Sequence, residues 1–189
     1  MLAVLFFSLI SSYDFNLGYS LSLSKNDGSA SNRTLLAERQ DFLHFGPGFE
    51  WMSWGDWSLG VRPEILFQHS LVGLQTWLEI QREIEIGPRH DALSIVFGAK
   101  QGLHASWILD SPDVEEASPG SRSTYAVGAG LFFGPRVELN RSYSLSLKFG
   151  SQLFWGLIAR RSFLASWANN LGMLGSISFG IGFKPLPKD

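Results

Sequence analysis

The stretch from Thr124 to Leu153 constrains the fold more than any other part of the chain. Read two residues at a time, Tyr125, Val127, Ala129, Leu131 and Phe133 are large or apolar, while Ala126, Gly128, Gly130, Phe132 and Gly134 between them are mostly tiny. After Leu139-Asn140-Arg141 the pattern resumes, Tyr143, Leu145, Leu147 and Phe149 alternating with Ser144, Ser146, Lys148, Gly150 and Gln152. Period-two alternation marks strands, and two such runs about a short polar turn predict an antiparallel hairpin. At about 3.3 Å per residue, each run is longer than the roughly 25 Å apolar band of an outer membrane.

The alternation recurs along the chain and predicts eight strands. The first covers Tyr13 to Ser24, with Tyr13, Phe15, Leu17, Tyr19, Leu21 and Leu23 on one face and Asn16, Gly18, Ser20, Ser22 and Ser24 on the other. The second and third run from about Asp41 to Trp54 and from Ser58 to His69, joined at Gly55-Asp56-Trp57. A Gly-Asp pair between two alternating runs is a hairpin signal. The fourth, Thr76 to Gly87, turns at Pro88-Arg89-His90-Asp91 into the fifth, Ala92 to His104. The opening hairpin supplies the sixth and seventh, and Asn170 to Phe183 is the eighth. Connections then run long, short, medium, short, long, short, long, with Lys25 to Gln40, Ala105 to Ser123 and Gly156 to Asn169 the long ones. Such spacing puts tight turns at one end of a barrel and long loops at the other, the layout of a transmembrane barrel with short periplasmic turns and longer outer loops.

Alternation alone does not say which face points inward, since a soluble ligand-binding barrel places its apolar face inside and a membrane barrel inverts this. The small-residue face decides for the membrane form. It is mostly Gly, Ser and Ala, as at Ser176, Ser178, Gly180 and Gly182, where a water-exposed surface would carry many Lys and Glu. Aromatic placement agrees. Tyr13, Trp51, Trp54, Trp57, Phe133, Tyr143 and Phe183 fall near the tight-turn end, and Trp77, Trp107, Tyr125, Trp155 and Trp167 near the loop end. Two such bands are expected as girdles at the membrane interfaces.

Composition narrows the function classes. Charged residues are 17% of the 189, the formal net charge is −2, and no basic stripe offers a nucleic-acid surface. No apolar run reaches 18 residues, so a helical span is excluded. Leu2 to Ile10 has the length of a signal-peptide apolar core but neither a basic start nor a small-x-small cleavage site, so residues 1–12 read as a signal remnant or a mature N-terminal segment. Residues 13–183 form the barrel, and the proline-containing 184–189 form a tail.

Pairing the hairpins with their apolar faces on one side sets Glu50 opposite Arg62 and Glu79 opposite Lys100. Glu64, Glu83, Glu85 and Lys148 share the interior, and Arg136 is expected beside them. Because an eight-stranded bore has room only for side chains, the reading is an ion-pair network that plugs the barrel, with more Glu than Lys or Arg inside. Two features strain it. Pro47 and Pro63 each delete a ladder donor, which a local bulge would absorb, and the phase of Leu78, Ile80, Ile84 and Ile86 points Arg82 at lipid.

The whole pattern, over Tyr13 to Phe183, resembles the small eight-stranded outer-membrane barrels, such as the OmpA transmembrane domain. The resemblance implies a bacterial outer-membrane location, a monomer, contact with the lipid bilayer and lipopolysaccharide, and handling by the barrel-assembly machinery, with Phe183 after Ile177, Phe179 and Ile181 matching the terminal signal. No cofactor and no metal spacing is expected, the histidines His44, His69, His90 and His104 being scattered. The expected role is non-enzymatic, structural or in surface contact through the outer loops, with a narrow channel for small solutes as an alternative. An enzymatic alternative rests on His104-Ala105-Ser106, which resembles the His-x-Ser pair of the outer-membrane lipid A deacylases, with Glu115 and Glu116 in the loop beyond. Trp107 replaces the Asn that follows the serine there.

Overall fold

A computed structural model describes residues 11–22, 41–68, 71–86, 93–108, 123–158 and 172–185. Eight strands are present: β1 (Ser12–Ser22), β2 (Asp41–Trp54), β3 (Trp57–Gln68), β4 (Leu71–Glu85), β5 (Leu93–Ile108), β6 (Ser123–Glu138), β7 (Tyr143–Ile158) and β8 (Gly172–Phe183). Each pairs antiparallel with its sequence neighbours, and β1 pairs with β8, closing the barrel in up-and-down order. Closure leaves no unpaired edge, so every strand can hold its backbone hydrogen bonds within the wall.

The two faces separate as the alternation predicts. Tyr13, Phe15, Leu17, Tyr19 and Leu21 of β1, Leu131 and Phe133 of β6, and Ile177, Phe179 and Ile181 of β8 are exposed on the outer wall, Leu131 to 65%. Asn16, Ser20, Ser144, Ser146, Lys148 and Gln152 are buried inside. Apolar outside and polar inside inverts the arrangement of a water-soluble barrel.

Local chemistry makes the tight turns. Gly55 adopts a positive φ of 59° in the Gly55-Asp56 turn between β2 and β3, a conformation that costs glycine little. Between β6 and β7 the Asn140 side chain accepts hydrogen bonds from the backbone N–H groups of Ser142 (2.8 Å) and Tyr143 (2.9 Å), a side-chain-supported turn.

The structure moves several expected boundaries. β4 begins at Leu71 rather than Thr76, because Val72 and Leu74 continue the outward phase of Leu78 while Gly73 and Gln75 fit inside. The expected medium connection between β3 and β4 is therefore only residues 69–70. β5 runs on past His104 to Ile108, and β7 past Leu153 to Ile158. β1 ends at Ser22, two positions before the expected Ser24.

Pro47 and Pro63 sit in a stretch of the β2–β3 ladder without paired bridges, yet the register is the same on either side, from Phe45↔Ile65 to Phe49↔Val61. The expected bulge is not there. It lies between Glu50 and Met52, at Trp51. That bulge leaves the two prolines in phase and shifts only the tight-turn end of β2. Arg82 does point outward, but near the tight turn and not at mid-strand. It pairs with Trp57 across the ladder, lies 5.7 Å from that ring, and reaches Asp56 at 3.4 Å. A guanidinium at this height, over an aromatic ring and beside a carboxylate, escapes the hydrocarbon cost.

Residues 1–10, the long connections 23–40, 109–122 and 159–171, and 186–189 lie outside the described residues. So do Trp167, Glu115, Glu116, His69 and His90.

Replacing an outward residue at mid-strand tests the orientation. Leu131→Arg is expected to lower the unfolding free energy of the barrel in lipid vesicles by about 2–4 kcal/mol, the cost of an arginine near a bilayer midplane. Unfolding by guanidinium followed by tryptophan fluorescence reads it, and an unchanged midpoint would contradict the assignment of faces.

Candidate functional site in the barrel lumen

Inward positions on the eight strands bring the polar side chains together in the bore, and its two halves differ. Toward the loop end Phe42, Leu66, Trp77, Ala126, Phe154 and Leu174 form one buried apolar cluster. Toward the tight turns the inward side chains are mostly charged or polar, with Val96 and Phe132 among them.

At the centre of the charged half stands Arg62, placed on β3 opposite Trp77 of β4. Its Nη1 and Nη2 donate to the two carboxylate oxygens of Asp14 at 2.7 and 2.9 Å, and its Nε donates to Glu79 Oε1 at 3.0 Å. The bidentate fork and the third bond use the planar geometry that distinguishes arginine from lysine. Gly48 makes room for this head group, since a Cβ there would run into the guanidinium and Asp14. Asn16 Nδ2 donates to Asp14 Oδ1 at 2.9 Å, and the Lys148 ammonium lies 3.9 Å from Asp14 Oδ2 and 5.0 Å from the centre of the Phe132 ring.

A second group lies nearer the tight turns. Arg136 Nη1 donates to Glu83 Oε2 at 2.9 Å, and its Nη2 lies 4.0 Å from Glu50 Oε1. Ser94 donates to Glu83, and Ser12 and Gln81 donate to Glu50. The third group borders the apolar cluster. Glu64 accepts from Gln75 and from Trp77 Nε1 (3.2 Å), with His44 Nδ1 at 3.4 Å. Lys100 holds its ammonium 4.5 Å from the Trp77 ring centre. Gly18 lies flat beneath the His44 ring, where a Cβ would collide with it.

Among the described residues, five carboxylates (Asp14, Glu50, Glu64, Glu79, Glu83) therefore face four fixed cations (Arg62, Lys100, Arg136, Lys148) inside the wall. His44 stands beside Glu64, which no Lys or Arg of the described residues touches within ion-pair distance.

Several sequence assignments change here. Glu79 and Lys100 are directly opposite, as register reasoning places them. Glu50 is opposite Gly60, not Arg62, which meets Gly48 across the unpaired proline stretch; Glu50 instead serves Arg136. The cause is the register: Trp57 pairs with Trp54, which shortens the expected three-residue turn by one, and the bulge at Trp51 shifts the ladder by one more. Glu85 keeps the inward phase but ends β4 and is exposed at the rim, outside every ion pair of the described residues. Trp77 leaves the loop-end girdle altogether. It is 1% exposed and inside, because its odd number shares the phase of Glu79 and Glu83. Asp14 was not singled out, although it precedes Asn16 by two on the same face, and His44, Gln75 and Gln81 carry the same parity signal on their own strands.

The remaining girdle residues whose side chains are described are exposed or half-buried. Tyr13, Trp54, Tyr125 and Tyr143 are exposed, and Trp51, Trp57, Trp107 and Phe183 half-buried. Phe183 packs against Tyr13 (5.0 Å) and Tyr143 (5.4 Å) at the β1–β8–β7 seam. Trp155 is placed by its backbone, opposite Val127.

His104 and Ser106 both point into the bore near its loop end. Ser106 is buried, and the His104 ring meets the Phe154 ring edge-on at 5.5 Å. His104 Nδ1 has no hydrogen-bond partner, so no carboxylate holds that nitrogen, the one that orients the imidazole in a serine-activating base when Nε2 faces the serine. Glu64, the inward carboxylate nearest that end, is held by His44, Gln75 and Trp77.

Searched by structure, the chain matches Neisserial surface protein A (NspA) with a TM-score of 0.63 over 93% of this chain and 97% of that one, at 11% identity. The N-terminal β-barrel domain of Pseudomonas aeruginosa OprF follows with a TM-score of 0.52 over 92% and 98%, at 12% identity. The chain has the fold of the small eight-stranded outer-membrane barrels. No protein-family model matches it, and no curated protein matches it by sequence. At such identity the likeness is one of architecture, so the lumen must be read from its own residues.

Arg62→Met leaves Asp14 and Glu79 buried beside each other without their cation and is expected to destabilise the barrel by about 3–5 kcal/mol. The double variant Arg62→Met, Glu79→Gln leaves Asp14 beside Lys148 and neutralises Glu79, and should recover much of that loss in urea unfolding. Equal loss in both would show that the cluster does not act as one electrostatic unit.

Proposed function

We propose that this chain is a non-enzymatic protein of a bacterial outer membrane, with a plugged lumen and a structural or surface-interaction role exercised at its loop end. The observation that carries the reading is the content of the bore. Among the described residues, two ion-paired groups and the hydrogen-bonded Glu64 occupy one half, an apolar cluster the other, and two cavities between the charges measure only about 10 and 20 Å³. No hydrated solute larger than water passes such spaces.

The apolar outer wall supports residence in lipid, and the likeness to outer-membrane barrels supports the outer membrane of a Gram-negative cell. In that setting the turns after β2, β4 and β6 face the periplasm, and the connections 23–40, 109–122 and 159–171, with the short 69–70, face outward, toward lipopolysaccharide and the cell's surroundings. Closure of the sheet supports a monomer, since no strand edge is left to pair with a second chain. Phe183 at the end of the last strand supports delivery through the barrel-assembly machinery.

Lipid A deacylation is disfavoured by the buried, inward position of Ser106 and by His104 Nδ1, which accepts or donates no hydrogen bond. A channel role is disfavoured by the plug. Fractionation with a heat-modifiable gel shift is expected to place a folded barrel in the outer membrane. Purified protein in planar bilayers should show no steady conductance, and its addition to lipid A should release no fatty acid. Stable conductance steps would overturn the plugged reading, and Ser106-dependent release would overturn the non-enzymatic one.

A further inference from the structure

Closure of the sheet removes strand edges as a route to a second chain, but it leaves the outer wall, and one part of that wall is unlike the rest. On β1 and β8 the outer positions at mid-strand are large, as Phe15, Leu17, Ile177 and Phe179 are. On β5, β6 and β7 they include Ala99, Gln101, Ala129 and Ser151. These lie together because Gln101 pairs with Ala129, while Leu131, the next outward residue of β6, pairs with Ala99 on one side and Ser151 on the other. Their short side chains leave a recess of about 590 Å³ in the wall, bounded by Leu78, Ile80, Leu131 and Leu153.

Gln101 sits in this patch where polarity is least expected. It occupies the middle of the 16-residue β5, between Phe97, whose ring meets Trp57 edge-on toward the tight turns, and Trp107 toward the loops. Its side chain is exposed on the outer wall and forms no hydrogen bond among the described residues. An amide that faces hydrocarbon without a partner is costly, and polar side chains at such depth mark contacts.

Hydrogen bonding and shape select the partner. An acyl chain would fill the recess but offers nothing to the amide, and the hydrocarbon holds no water to serve instead. A carboxamide both donates and accepts, so a second Gln101 is its complement and the two can exchange reciprocal hydrogen bonds. All copies of a membrane barrel are inserted the same way up. A symmetric pair therefore has its two-fold axis along the membrane normal, which sets each residue near the axis against its own counterpart at the same depth. The relief of the wall agrees. Leu131 and Leu103, at 65% and 64% the most exposed large apolar side chains among the described residues, stand beside the recess, Leu103 being the next outward residue after Gln101 on β5. A ridge beside a hollow is self-complementary about such an axis, and small residues let two walls approach closely.

We propose that the wall of β4 to β7 centred on Gln101 is an interface at which two copies of this chain associate in the plane of the membrane. Gln101 of one copy bonds to Gln101 of the other across the two-fold axis, while Leu103 and Leu131 of each pack into the recess over Ala99, Ala129 and Ser151 of its partner. The association joins folded barrels wall to wall and uses no strand edge, so the monomer is its dissociated form. It goes beyond the proposed function and is independent of the plugged bore, since conductance tests the plug and the meeting of copies tests the wall.

The test mixes donor-labelled and acceptor-labelled copies of the whole chain in phosphatidylcholine vesicles at a falling ratio of protein to lipid. The chain has no cysteine, so Arg141→Cys, in the exposed turn between β6 and β7, gives a single labelling position outside the recess. Energy transfer is expected to exceed chance proximity, to fall on dilution in lipid as a two-body equilibrium does, and to be competed away by unlabelled chain. Gln101→Leu, with the heat-modifiable gel shift as the check that it folds, should raise the protein-to-lipid ratio at half-maximal transfer about tenfold. Leu17→Ala, on the opposite wall, should leave that ratio unchanged. Transfer no greater than chance, transfer unaltered in Gln101→Leu, or an equal loss in Leu17→Ala would each overturn the proposal. Should Gln101→Leu fail to fold, Ala129→Phe, which fills the recess, is read in its place with the same expectation.

Discussion

Closing the sheet is the constraint on which the rest of this structure depends. Once β1 pairs with β8, each residue's side is set by its parity along its strand, and neighbouring strands are bound to the same choice by their register. A slip of one residue in any ladder would turn leucines and phenylalanines into the bore and charges outward. That is why the outer wall and the interior are so cleanly divided, and why the bulge at Trp51 sits near a tight turn, where only the end of β2 changes phase.

The interior then poses an electrostatic problem. Charges removed from water are tolerated when each is paired and hydrogen-bonded, and the bore meets this with the Arg62 fork, the Arg136 pairs and the triple support of Glu64. Space is as scarce as pairing. Glycines at 18, 48 and 128 give up side chains so that His44, Arg62 and Trp77 can lie across the narrow bore. Small residues on the polar face are thus the counterpart of large polar ones on the opposite wall.

Likeness to NspA and to the OprF barrel domain at 11% and 12% identity fits this physics, because a barrel of this kind needs a pattern rather than particular residues. Many apolar side chains serve on the outside, and many small ones within. What distinguishes one such protein from another lies in the bore and beyond the loop end, where the wall imposes no pattern.

The eight strands, their order and their faces were legible in the sequence, because alternation with period two is a local property that each run displays by itself. The same parity carried most of the lumen: Glu64, Glu79, Glu83, Lys100 and Lys148 lie inside as their numbering implies, and Trp77 and Asp14 could have been found by applying it without exception. Partnerships were another matter. Register across the Trp51 bulge decided that Glu50 meets Arg136 and not Arg62, the length of β4 decided that Glu85 reaches the rim, and contacts across the bore, such as Arg62 with Asp14, join strands that are not neighbours in the ladder. Which face a residue occupies is written in its own strand; which residue it meets depends on how all eight strands are wrapped, and only the closed barrel settles that.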